Sequence, residues 1–516
     1  MKISKRIIYT LWALLIILNI ILRLPITPHE IGWDSFTIHA LANSVSTFGE
    51  AKWWLHPASV GGFYPYSYAS VVPFSLSGIS QCTGIDMEWT TWLFGVLIGI
   101  FSAFTAYLMA GAIKDDDLFK FLVAFGFSVS EGILYFTTWT VSTRGFFIVL
   151  LPLFVYLLLK TRTSIVKYSA LTFILFIMLV ATHHLVYFII PIIISYLVVT
   201  IYDKLKSYIR FIKVPSNFVS IVLFTSFLFM LLVPFFTGYF IRGTRYILDE
   251  ILITYIRYIG FLIIFVIGGF IYLIFKHDKS FGEWFLLFTL VCLTPMLYDL
   301  VYTHWVILAF AFLLVGVGLT NVARMYNRKS KLVFTVIVIS LLLSVSMTGY
   351  YQAWHMNVEQ KGAPTYWTRY PSEATYESAL WAKENIDGNM VSYEYLTPIR
   401  ILALSGVPTL SGSPPCDLTH GFVNRTDINI TRIPLSIKHH KIEPYVISKN
   451  SVNTEWYIEQ LPKEEVNRGW VQNLFSKLSI SYIIENKDAY GGRFIRSVHR
   501  DKENVYDNGK IRVWMV

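Results

Sequence analysis

The chain has 516 residues, of which 55% are hydrophobic, 17% aromatic and only 15% charged, with a mean hydropathy of +0.54. That composition excludes an ordinary soluble globular protein and points to a membrane. The net charge of +10 sits in short clusters between apolar runs, where it orients spans rather than forming a nucleic-acid surface. Cys82, Cys292 and Cys416 show no CxxC or Cys/His ligand spacing, so neither a zinc site nor a disulfide framework is signalled.

The opening MKISKR and the apolar run behind it resemble a signal peptide, but no small-residue cleavage site follows, and a retained first span is expected. Apolar runs of spanning length place helices near 7 to 23, 90 to 112, 119 to 139, 145 to 160, 168 to 183, 185 to 202, 217 to 238, 251 to 275, 281 to 298, 305 to 322 and 331 to 349. The expected fold is therefore mainly α, a polytopic transmembrane bundle of about eleven spans. Very short turns near 139/145 and 183/185 leave room for merged or re-entrant segments. Lys and Arg gather in alternate loops (Lys2, Lys5 and Arg6; Lys204, Lys206, Arg210 and Lys213; Arg324, Arg328, Lys329 and Lys331). The opposite loops before residue 350 hold only Arg23, Lys52, Arg144, Arg242 and Arg245. The positive-inside rule then puts the N-terminus in the cytoplasm and the C-terminus outside, in a plasma membrane.

Two outer regions are too long to be connectors: residues 24 to 89, and the tail from 350 onward. In the first, Thr27 to Ser44 reads TPHEIGWDSFTIHALANS. Phe36, Ala40, Leu41, Val45 and Phe48 recur at helical spacing before Gly49, which predicts an amphipathic helix over 35 to 48 lying on the membrane surface. The segment HPASVGGFYPYSYASVVPF suits an interfacial loop. The tail regains charge and turn formers, with a helix expected over 372 to 386 and strands in NMVSYEY, ISYIIEN and IRVWMV. Two domains follow: 1 to 349 in the membrane, and a small extracytoplasmic α/β domain over 350 to 516. Asn424 and Asn429 head two Asn-x-Thr sequons in the tail.

Ionisable residues at a membrane are expensive unless paired, solvated or functional. In this chain they collect on the outer side: His29, Glu30, Asp34, Glu131, Arg144, His183, His184, Arg242, Arg245, Asp249, Glu250, Asp299 and His304. A polar chamber at the outer ends of the helix pairs would gather them. Each also has a plainer role: Asp34 as a helix N-cap, Glu131 as partner to a neighbouring span, His183 and His184 as markers of a tight turn. Arg242 and Arg245 could simply complement Asp249 and Glu250, and His304 could be a belt residue beside Trp305. Together, carboxylates can take the proton of an attacking hydroxyl or hold a divalent cation, while Arg and His can receive a departing phosphate. That suits glycosyl transfer from a lipid-linked sugar phosphate. There is no GxxxxGK[ST] and no GxGxxG after a strand. A transporter or flippase, which would want ionisable residues at mid-membrane depth and repeated discontinuous spans, and a non-catalytic sensor are the competing classes.

An outward Asp after the first span, a helix ending in Gly, and His-Pro and Tyr-Pro segments (Phe63-Tyr64-Pro65-Tyr66) before the second span resemble the GT-C glycosyltransferase superfamily. Within it, the likeness is to prokaryotic polyprenyl-phosphate-sugar transferases and, more distantly, to oligosaccharyltransferase catalytic subunits. The resemblance implies that Asp34 is a catalytic or metal-binding carboxylate with Glu30 as helper. It also implies that His304 meets the lipid phosphate; the collection of outer ionisable residues itself offers His29, Glu131, Arg144, His183, His184, Arg242 and Arg245 as further substrate contacts. Mg or Mn is the implied cofactor class, with no metal ligands assigned. The donor would be a polyprenyl-phosphate-linked sugar, and the acceptor a protein, lipid or glycan. No WWDYG-type sequence stands in the tail, and TTWTVSTRG replaces an Asp-x-Asp or Glu-x-Asp in the second outer loop. The expectation is therefore transfer of a single sugar rather than sequon-specific transfer of whole oligosaccharides. An integral-membrane glycan polymerase is the neighbouring enzyme alternative.

Overall fold

The computed structural model describes residues 4–62, 66–208, 216–237, 247–297, 302–325, 331–354, 371–428 and 453–516. Arg242, Arg245, Asp299, the Tyr64-Pro65 pair and the Asn429 sequon lie outside them, as do the side chains of Asp249 and Glu250.

The helices, in order, are α1 (Lys5–Ile21), α2 (Trp33–Phe48), α3 (Val71–Thr83), α4 (Met87–Ile113), α5 (Asp117–Ser128), α6 (Glu131–Leu134), α7 (Thr143–Lys160) and α8 (Ile165–Thr182). There follow α9 (Ile189–Tyr208), α10 (Ser216–Thr237), α11 (Ile247–Ile259), α12 (Ile263–Phe275), α13 (Phe281–Leu293), α14 (Thr303–Met325) and α15 (Lys331–Trp354). Among the described residues seven helices are long and apolar enough to cross a membrane: Met87–Ile113, Thr143–Lys160, Ile165–Thr182, His184–Leu205, Leu252–Phe275, Thr303–Arg324 and Leu332–Tyr350. Most of α14 is enclosed by protein, packed on α5, α7 and α12, whereas α8 turns Val166, Phe173, Ile174 and Ile177 outward. A bundle whose central helix is all-round apolar and whose rim is also apolar is what a lipid solvent requires.

The expected span over 119 to 139 is not one helix. Helix α5 stops at Ser128 after 12 residues, about 18 Å against the roughly 30 Å of a hydrocarbon core. The chain then continues through the single turn of α6 and irregular backbone to Ser142. The break is chemically stabilised by Arg23, just beyond α1 and completely buried. Its Nη2 donates to Ser128 O at 3.0 Å, its Nε to Thr137 Oγ1 at 2.9 Å, and its Nη1 to Asn19 O and Oδ1 at 3.1 and 2.8 Å. Irregular backbone at membrane depth is tolerated where protein supplies such partners.

Helix α2 starts two residues earlier than its periodicity suggests, and protein covers it on two faces. One face, Ile38 and Ala42, joins the membrane core. Phe36, Ala40, Leu41 and Val45 pack instead on Ile399, Leu402 and Ala403 of the tail. The apolar stripe is thus covered by residues of the tail.

The tail contains α16 (Glu373–Asn385), α17 (Leu396–Ser405), α18 (Pro414–Thr419), α19 (Thr454–Gln460), α20 (Gly469–Lys477) and α21 (Gly492–Asp501). Its strands are β1 (Asn389–Ser392), β2 (Thr409–Leu410), β3 (Ile480–Asn486), β4 (Glu503–Asp507) and β5 (Ile511–Met515). The sheet order is β2-β1-β3-β5-β4, parallel across β2, β1 and β3 and antiparallel from β3 through β5 to β4. Helices cover both its faces, as an α/β layer architecture demands. The α/β reading holds. β1 ends at Ser392 because Glu394 turns the chain by accepting from the amides of Leu396 and Thr397, both at 2.7 Å.

Candidate active site

Asp34 is placed by hydrogen bonds between two distant loops. Ile31 N donates to Trp139 O at 3.0 Å, and Val141 N donates to Ser35 Oγ at 2.8 Å. Between them Gly32, at φ 102°, packs against Thr140 so closely that a Cβ would overlap its hydroxyl; only glycine combines that backbone with that approach. The irregular stretch after α5 is therefore the cradle in which α2 begins.

Gly32 is the N-cap, and no side chain caps the helix. Asp34 lies in the first turn, where its charge favours the helix dipole by roughly 0.3–1 kcal/mol. The capping role that its sequence position suggests is not the one it plays. Its carboxylate is half-exposed, 3.6 Å from Arg144 Nη2. Arg144 opens α7, where Ser142 Oγ accepts its backbone amide at 3.2 Å. Its guanidinium donates to Tyr302 Oη at 3.4 Å and lies over the rings of Tyr302 (4.5 Å), Trp305 (5.1 Å) and Phe136 (5.7 Å), an arrangement that planar Arg suits better than Lys.

His183 caps the turn before α9 by accepting Leu185 N at 3.1 Å and contacts the His184 ring at 4.0 Å. Both imidazoles approach Tyr302, at 6.2 and 6.1 Å. His304 sits behind, against Trp305 at 4.1 Å and Tyr258 at 5.6 Å, so Trp305 and Tyr302 form the wall that Arg144 faces. Burial pushes the Tyr68 phenol well up, with the Asp34 carboxylate adding to the effect and Arg144 and Thr143 opposing it. Among the described residues the buried Arg144 Nε and Tyr187 Oη find no acceptor, and buried donors of that kind normally have one.

Three expected site residues stand apart from Arg144. Glu30 is completely buried behind α2, where Ser35 Oγ donates to Oε1 at 2.5 Å and His39 Nδ1 lies 2.6 Å from Oε2. Both oxygens serve α2. His29 joins the domains: its Nδ1 is 3.1 Å from Glu88 Oε1, its Nε2 is 3.3 Å from Glu373 Oε2, and its ring stacks on Tyr376 at 3.8 Å. Glu131, also buried, faces Arg257 at 3.4 Å.

Sequence reasoning passed over Tyr302, Tyr68, Glu88, His39 and Arg257. Arg257 carried a usable signal, a lone cation in an apolar run, the same signal that singled out Glu131. Tyr302 and Tyr68 carried none, because tyrosine is common at membrane interfaces.

A divalent cation needs several hard oxygen ligands, yet among the described residues no group of three or more His, Cys, Asp or Glu side chains could hold a metal. Asp34 is offset by a guanidinium instead.

No protein-family model matches the chain, and no curated protein matches it in sequence. Solved structures do. The apo oligosaccharyltransferase of Archaeoglobus fulgidus superposes with a TM-score of 0.60 at 12% identity, over 94% of this chain and 70% of that one. The fold is thus similar to that of the archaeal enzyme. The same archaeal enzyme solved with an inhibitory peptide and a dolichol-phosphate gives a TM-score of 0.58 at 11% identity over 93% and 69% of the two chains. Its complex with Zn and sulfate gives 0.60 at 12% over 92% and 68%. At such identities the fold is shared while side chains are not inherited, so the site stands on its own geometry.

Proposed function

We propose that the chain is an integral-membrane glycosyltransferase that moves a sugar from a polyprenyl-phosphate-linked donor to an acceptor at the outer face. In this reading the N-terminus is cytoplasmic and the tail domain extracytoplasmic, the arrangement the basic loops favour. The observation that carries it is the Asp34–Arg144 pair at 3.6 Å, set against an aromatic wall with the buried donors Arg144 Nε and Tyr187 Oη turned to no acceptor. A carboxylate and an anion receptor side by side are what displacement at a sugar phosphate needs.

Asp34 takes the proton as the acceptor oxygen or nitrogen attacks the anomeric carbon. The bond from that carbon to the phosphate oxygen breaks with inversion, and the lipid phosphate departs as an anion against Arg144 and Tyr302. Glu30 and His39 hold α2 so that Asp34 keeps its place, acting through the helix. No step is assigned to a metal. The dolichol-phosphate and peptide complexes of the archaeal enzyme support a lipid-linked donor and a polypeptide acceptor for this chain.

The test uses membranes carrying the full chain and a radiolabelled polyprenyl-phosphate sugar. Asp34→Asn is expected to lower transfer by on the order of 10²–10⁴-fold while the amount of inserted protein stays the same. Turnover equal to wild type removes Asp34 from the chemistry.

A further inference from the structure

A cavity of about 620 Å³ lies at the other end of α2 from Asp34, lined by Phe48 and Lys52 and by residues of the tail. Its charged lining is cationic throughout: Lys52, Arg425 and Lys477, with no carboxylate among the lining residues. His420 adds an imidazole whose affinity for protons is pushed down to about 4 by burial, with Lys52 contributing, so it is neutral at ordinary pH. Lys52 Nζ is held 3.4 Å over the Phe48 ring and Arg425 Nη2 donates to Trp54 O at 3.1 Å, which leaves the cations ordered but without an anionic partner among the described residues.

The walls are apolar: Pro408, Leu418, Phe422, Val423 and Leu478. Besides the neutral His420, the uncharged hydrogen-bonding side chains are engaged within the chain: Thr419 donates to Pro415 O at 2.6 Å and Asn424 accepts from Thr426 N at 3.1 Å. A hydroxyl-rich sugar would find few partners, whereas a carboxylate beside an aliphatic side chain matches both charge and surface.

We infer that this cavity is an exosite for an acidic and apolar segment of a polypeptide acceptor, remote from the reacting group. The inference rests on the transferase reading for the word acceptor, though not for binding itself. Helix α2 fixes the spacing. From Asp34 to Phe48 the helix runs about 21 Å, a distance that about six or seven extended residues cover.

The experiment measures binding of a fluorescent ten-residue peptide of alternating Glu and Leu to the full chain in nanodiscs. Expected are salt-sensitive binding and a weakening of about tenfold or more in Lys52→Glu/Lys477→Glu, with no binding of a Lys-for-Glu peptide and no change in Asp34→Asn. Two results would overturn the exosite: equal binding by the double variant, or displacement of the peptide by an equimolar uronic-acid oligosaccharide or by inorganic phosphate. A membrane source is checked with anionic vesicles; binding to them that depends on Lys52 and Lys477 while the peptide does not bind overturns it too. In turnover, the double variant is expected to raise KM for an acidic acceptor with kcat unchanged. Salt-sensitive peptide binding that depends on Lys52 and Lys477 in a chain that transfers no sugar would sink the transferase reading alone and leave the exosite standing.

Discussion

Arg144 concentrates more of the site on one side chain than any other residue. It faces Asp34, donates to Tyr302 and covers three aromatic rings. Lysine would keep the charge but lose the planar fork and the stacking. Arg144→Lys is therefore expected to lower kcat/KM for the lipid-linked donor by on the order of 10²-fold, with a smaller change in KM for the acceptor. Steady-state kinetics varying donor and acceptor separately checks this, and an effect confined to the acceptor would contradict its assignment to phosphate. Glu30 differs because both of its oxygens are engaged inside the protein, so its substitution should reduce thermal stability as well as turnover.

At the scale of elements, the decisive junction is the start of α2 against the irregular chain after α5. Gly32 holds a φ of 102° and lies against Thr140. Gly32→Ala is expected to cost about 1–3 kcal/mol through backbone strain, with steric overlap added. Since the same turn aims Asp34, kcat should fall further than the loss of folded protein explains. Comparing activity per folded molecule with the melting temperature separates the two effects. Conversely, wild-type turnover in a Gly32→Ala protein would show that this turn does not set the site. The Arg23 network holds the far end of the same cradle, and a Cβ on Gly99 would run into its guanidinium; close packing at α4 thus reaches Asp34 through Arg23 and Thr137.

At the scale of the whole molecule, His29 ties the membrane domain to the tail through Glu88 and Glu373. Burial opposes protonation of its imidazole, but these two carboxylates outweigh it and raise its affinity for protons. A group whose folded-state pKa is raised contributes stability that is fully present below its unfolded value, near 6.5, and lost as pH rises through the folded value. The melting temperature should accordingly decline over that interval in wild type, and this component should vanish in His29→Gln. A pH profile unchanged by the substitution would place the domain contact elsewhere, with the α2–α17 packing as its main support.

Composition and hydropathy alone determined that this chain is a membrane protein with an α/β tail, since burying so many apolar residues in water is impossible and the tail's polar periodicity needs no lipid. That Asp34, Arg144, His183, His184 and His304 are candidates for one site was also legible, because ionisable residues at span ends are conspicuous against an apolar background. Only the tertiary structure decided which of these residues meet. Hydrogen bonds between Ile31 and Trp139, and between Ser35 and Val141, join segments about a hundred residues apart, a pairing that no local period records. They bring Asp34 to Arg144 while Glu30, nearby in sequence, turns into the interior. Likewise the stripe of α2 is apolar whether it meets lipid or protein; its packing on Ile399, Leu402 and Ala403 depends on a surface that the fold alone brings into place.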